Sequence, residues 1–147
     1  MTDTAALAAS ALLVAAASGW DIGKRIIPNR LTVLAALAGI GYQGIVHGPA
    51  GLLWSLSGAA TGFGVLLVLY VLKGIGAGDV KLFGALGAWV GPGMILQTAM
   101  YAVLLAGAVG LVWALASRWR IRGISFPFMI AVLPAYAAAA ASESGWL

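Results

Sequence analysis

The chain has 147 residues, of which 63% are hydrophobic and only 8% charged, with a mean hydropathy of +1.04. About a quarter of the residues of a soluble domain are charged, so this composition describes an integral membrane protein whose main partner is the lipid bilayer. With no cysteine and one histidine, His47, the chain has no disulfide, thiolate nucleophile or His-rich metal site to offer, and its net charge of +4 reads as membrane topology rather than as nucleic-acid binding.

A helix that crosses the bilayer needs roughly 17–25 apolar residues, and the chain divides accordingly. The first apolar segment is Thr4–Trp20, followed by the most polar stretch of the protein, Asp21-Ile-Gly-Lys-Arg-Ile-Ile-Pro-Asn-Arg30. Ala-Ala-Ser-Gly at 16–19 resembles a signal cleavage site, but the basic region a signal needs is missing, so the segment is expected to be a retained helix. The second segment, Leu31–Val46, closes at His47-Gly48-Pro49, a helix stop with a turn. The third is Leu52–Leu72, after which Lys73-Gly-Ile-Gly-Ala-Gly-Asp79 forms a glycine-rich turn. A short fourth segment, Val80–Val90, ends at Gly91-Pro92-Gly93. Met94–Ser117 and Ile124–Ala141 are the fifth and sixth, the last interrupted by Pro127 and Pro134. The fold expected is all-α, a polytopic membrane protein of six transmembrane helices forming a single peptidase domain over residues 1–147.

The charges set the orientation. Lys24, Arg25 and Arg30 follow the first segment, Lys73 and Lys81 flank the glycine turn, and Arg118, Arg120 and Arg122 follow the fifth segment. The other two connections and both tails have no Lys or Arg. Positive residues mark cytoplasmic loops, so both termini are expected outside the cytoplasm, with Asp21 and Asp79 together on the cytoplasmic side. From Asp79 to Val90 a helix rises only about 18 Å, against a hydrocarbon core of about 30 Å. Either the bilayer thins there or the helix begins below the surface and carries Asp79 down with it, which is tolerable only where that backbone is buried in protein or lines a cavity.

Four acids are present: Asp3, Asp21, Asp79 and Glu143. Asp3 and Glu143 lie in the outer tails, and each inner aspartate could simply pair with a neighbouring Lys or Arg. As a pair, however, two carboxylates sharing a site cannot both ionise easily. One then takes a proton from water while the other gives one to a leaving amine, the chemistry of peptide hydrolysis without serine, cysteine, metal or cofactor. The glycines before Asp79 allow close backbone approaches, so an extended substrate could lie against them as an added strand; a plain hinge is the competing reading. The turn lacks the Gly-Lys-Ser/Thr ending of a phosphate-binding loop.

Gly76-Ala-Gly-Asp79 followed by Val80-Lys81-Leu82 resembles the Gly-x-Gly-Asp signature of type IV prepilin peptidases. Asp21-x-x-x-Arg25-x-Ile27-Pro28-Asn29-x-Leu31-Thr32 resembles that family's first-aspartate motif, and Phe126-Pro127-Phe128 its last-helix element. The resemblance implies a catalytic pair, Asp21 and Asp79, acting on prepilin or pseudopilin peptides in the bacterial inner membrane, with Gly76, Gly78, Lys81, Pro28, Asn29 and Pro127 shaping the loops or binding substrate. It implies no metal and no cofactor. Without cysteine the chain looks like the short form associated with tight-adherence (Flp-type) pili, for which N-methylation is not expected. A small proton- or ion-coupled transporter subunit and a non-catalytic pilus assembly factor are the alternatives. The first would need polar residues reaching across the bilayer, and the apolar segments have few, chiefly Ser55, Ser57, Thr61, Gln97 and Thr98.

Overall fold

The structure, a computed structural model, describes residues 3–24, 29–72, 75–116 and 129–143, and the side chains of 3–19, 29–72, 75–112 and 131–142. All regular structure among them is α-helix, as the apolar segments require. The helices are α1 (Thr4–Lys24), α2 (Asn29–Val71), α3 (Ala77–Ala116) and α4 (Met129–Glu143). Of these, α2 and α3 are long and apolar enough to cross a membrane.

Where the sequence separates the second segment from the third, and the fourth from the fifth, the structure has a kink instead of a loop. Gly48 (φ 65°, ψ −152°) breaks α2 and Gly91 (φ 77°, ψ 177°) breaks α3, each directly before a proline. The proline has no N–H for the carbonyl four residues back and its ring crowds the preceding turn. Glycine adopts the left-handed φ that lets the chain fold back at once. The two arms of α2 lie side by side, since a Cβ on Gly51 would meet the Gln43 carbonyl and the His47 side chain.

Cross-helix contacts order the arms. The second arm of α2 runs antiparallel to the first arm of α3: a Cβ on Gly58 would collide with the Gly87 carbonyl, and one on Gly62 with the Phe83 carbonyl. The first arm of α2 runs parallel to the same helix, because Lys81 meets Asn29 and Trp89 meets Gln43. Asp3 binds Tyr42, so α1 starts at the kinked end, and Ser142 of α4 reaches Gln97 at that end too. Gly58, Gly62 and Gly87 are thus helix–helix contacts, where the lack of a side chain lets the backbones approach closely.

The first arm of α3 is the centre of the bundle. Leu82, Phe83 and Leu86 are fully enclosed, in one core with Leu66, Val14 and Val132 from the other helices and Ile95 from the second arm of α3. From Leu82 to Val90 that arm is apolar throughout, and protein encloses all of it but the half-buried Trp89. The outer surfaces, by contrast, expose Leu34, Ile45, Leu53, Leu104 and Val112, which suits a hydrocarbon solvent.

A kinked helix in an apolar setting must find partners for the backbone groups it frees. Pro92 leaves the Ala88 carbonyl without its helical donor, and the Ser55 hydroxyl donates to it at 2.6 Å. The Trp89 carbonyl accepts from Gln43 Nε2 at 3.0 Å. Trp89 in turn donates its indole N–H to the Ala35 carbonyl at 2.8 Å and stacks on Tyr42, ring centroids 5.6 Å apart. Two of the polar residues scarce in these segments are therefore caps for a broken helix.

Candidate functional site

Asp79 sits in the first turn of α3, the end of the bundle opposite both kinks. Gly76 closes that turn: its N–H approaches Asp79 Oδ2 at 3.3 Å, while its carbonyl accepts the Asp79 N–H at 3.2 Å. The Asp79 side chain thus supplies one half of a capping box; glycine has no side chain for the other half, and its carbonyl takes the Asp79 N–H instead. The carboxylate is thereby aimed back over the helix start, where free N–H groups point outward. Asp79 is only 9% exposed, so its carboxyl is enclosed by protein.

Two positions further on, Lys81 projects to the outside of the same helix start. Its ammonium donates to Asn29 Oδ1 at 2.9 Å, and the Thr32 hydroxyl donates to the Asn29 carbonyl at 3.0 Å. The stretch around Asp79 and the start of α2, which follows the Asp21 loop, are thus tied together directly. Below the pair, the two arms of α2 and the first arm of α3 enclose a groove of about 470 Å³ that is almost entirely apolar.

Of the residues singled out in the sequence, Gly76, Gly78, Asp79, Asn29 and Lys81 come together at this end of the bundle. The backbone of Asp21 lies in the last turn of α1, but its side chain is outside the described residues. So are Pro28 and Pro127, together with Arg25, Lys73 and the arginines at 118, 120 and 122. Among the described residues no three His, Cys, Asp or Glu side chains gather as a metal site.

The opposite end has a second polar group, centred on Asp3. Asp3 caps α1 by accepting the Ala6 N–H at 2.8 Å and also accepts the Tyr42 hydroxyl at 2.8 Å. The Ala6 N–H, then the Tyr42 hydroxyl, hold its carboxyl below the usual range, with His47 nearby adding to the effect. The signal available in the sequence was an Asp directly before an apolar run, an N-cap pattern. Deeper in, the hydroxyls of Ser10 and Tyr136 lie 2.5 Å apart and join α1 to α4.

Residues 7–115, which span both aspartates and the glycine turn, match the model of the type IV leader peptidase family. The chain belongs to that family. Curated relatives of this chain include the prepilin leader peptidase/N-methyltransferase of Xanthomonas campestris pv. campestris, 34% identical over 131 residues, 84% of this chain and 44% of the relative. The protein of the same name from Burkholderia pseudomallei strain 1026b is 36% identical over 126 residues, 79% of this chain and 40% of the relative. The Escherichia coli leader peptidase HopD is 35% identical over 77 residues, 48% of this chain and 49% of the relative. The chain spans less than half the length of these relatives. No solved structure matches it.

Proposed function

We propose that this chain is a membrane-embedded aspartyl endopeptidase that removes the short leader of type IV prepilins, of the Flp type, at the cytoplasmic boundary of the bacterial inner membrane. The observation that carries the reading is Asp79. It is the buried acid of a family-matched segment, held by a glycine-turn N–H at the start of the central helix, beside the Asn29–Lys81 pair that leads back to the Asp21 loop. Residues 1–147 form one peptidase domain of six membrane-spanning arms with both ends outside the cytoplasm, so that Asp21 and Asp79 share one side.

In the reaction, one carboxylate takes a proton from water as its oxygen attacks the scissile carbonyl. The other carboxyl gives its proton to the departing amine, and the dyad ends with one proton as it began. Cleavage leaves a carboxylate on the leader and a free amine on the apolar helix; N-methylation of that amine is not part of this reading. The transporter alternative gains nothing from the buried hydroxyls of Ser10, Ser18, Ser55 and Thr98. Each donates to a backbone carbonyl or lies in a helix contact, where it supports packing.

The test is Asp21→Asn and Asp79→Asn, made separately and assayed on a purified prepilin. Each is expected to lower cleavage by 1,000-fold or more, on the order of the loss when one member of a catalytic set is removed, with membrane insertion intact. Normal processing by either variant would refute the dyad.

A further inference from the structure

The geometry points to the groove between the two arms of α2 and the first arm of α3 as the seat of the substrate's apolar helix, selected by the small side chains of Ala36 and Ala59. This rests on the peptidase reading and adds to it where the substrate's membrane portion lies and which residues choose it. Three features support the assignment.

The first is the wall. Ala36, Ala59, Gly84 and Ala85 come from three different helical arms and line the groove together with Phe63. Ala36 and Ala59 are half-buried and line the opening. Within lipid, helices associate through close packing, which small side chains permit. The second is size. A single helical turn, about 10–12 Å across and 5.4 Å tall, sweeps out roughly 500 Å³. A groove of about 470 Å³ therefore accepts the side chains on one face of a helix and leaves the other face in the bilayer.

The third feature is the mouth, which distinguishes a polypeptide from a lipid chain. Lys81 is the one charged residue lining the groove, bonded to Asn29 across the opening and two positions from Asp79. The groove thus ends at the same turn of α3 as Asp79, whose buried carboxyl lies on another face of that helix. Ammonium and amide together supply hydrogen-bond donors and an acceptor at the membrane boundary. A polypeptide that leaves its helix there to present a peptide bond must satisfy the N–H and C=O groups it frees. An acyl chain has no such need. The occupant is a peptide whose apolar helix begins beside the bond to be cut.

Two substrates read this out with the full-length protein in proteoliposomes: an intact prepilin, and a soluble leader peptide that spans the scissile bond but lacks the apolar helix. The measured quantity is the ratio of their kcat/KM values. Ala36→Leu and Ala59→Leu, which fill the groove, are expected to lower the intact-to-truncated ratio roughly tenfold, the scale of a helix-packing contact in lipid. Ala108→Leu, on the exposed outer arm of α3, should leave the ratio as in the wild type. An unchanged ratio in both filled variants, or an equal loss on both substrates, overturns the seat. A wild-type protein that cuts neither substrate overturns the peptidase reading as well. A second measurement is independent of how well leucine is accommodated. In an Asp79→Asn background, Ala36→Cys should cross-link to a cysteine in the first two turns of the prepilin helix, and Ala108→Cys should not. The reverse pattern also overturns the proposal.

Discussion

A carboxylate in this chain is conspicuous because so few are present, and that is why both inner aspartates could be singled out from the sequence. Asp79 could also be placed near a helix start, since the glycines before it and the apolar run after it bracket the turn. The Asn29–Lys81 bond beside it could not be read. Asn29 and Lys81 lie 52 positions apart, and nothing local in either stretch encodes their meeting. The second partner of Asp3 was hidden for a related reason: the sequence displays its cap pattern but not Tyr42, which lies 39 positions away. Its carboxyl is held below the ordinary range by the Ala6 N–H first and the Tyr42 hydroxyl second. A carboxyl whose folded pKa is lowered adds stability that is complete above its unfolded pKa, near 3.9. That contribution disappears as pH falls through the lowered value. Asn caps a helix about as well as Asp, so Asp3→Asn removes mainly the charge. The wild type should exceed Asp3→Asn in thermal midpoint in detergent at pH 6, by the equivalent of about 0.3–1 kcal/mol. The gap should close below about pH 4; a gap that widens on acidification would contradict the assignment.

At the scale of elements, the glycine–proline pairs marked two interruptions that the structure confirms, at Gly48 and Gly91. Their form differs from the expectation. Stops followed by turns were read, whereas the chain reverses within a single left-handed glycine and helix resumes at once. The reason is that Ser55 and Gln43 supply donors to the Ala88 and Trp89 carbonyls beside the α3 break, so no outer loop is needed to bring them water. Gly91 carries two constraints, since a Cβ there would need a left-handed φ and would also run into the Trp54 ring. Gly91→Ala should therefore lower the unfolding free energy in detergent by more than the roughly 1–3 kcal/mol of backbone strain alone. Gly93, with nothing within 4 Å of its Cβ position, supplies the comparison. Gly93→Ala should be close to neutral, and equal effects at the two positions would show that the kink does not depend on Gly91.

For the whole molecule, the charge map orders the segments by side, and the cross-helix contacts order them by direction. Asp3, Ser142 and both kinks lie at one end of the bundle; Asn29, Lys81 and Asp79 lie at the other. Because the chain has no cysteine, introduced thiols test sidedness cleanly. In sealed right-side-out vesicles, Ser142→Cys should react with a membrane-impermeant maleimide, while Asn29→Cys should react only after the vesicles are opened. Labelling of both from the outside would overturn the orientation. What the sequence by itself determined is the solvent and the spacing. Hydropathy is a sum over neighbours along the chain, so an all-helical membrane protein, its breaks and its two scarce acids follow from local residues alone. Tertiary structure decided which helix lies at the centre, and with it that Asp79 is buried, that Lys81 meets Asn29, and that a groove opens beside them. Those outcomes depend on contacts between residues far apart in the chain. In an apolar bundle, where every helix surface is greasy, no pattern of polarity announces which faces meet; the close approach of Gly58, Gly62 and Gly87 settles it.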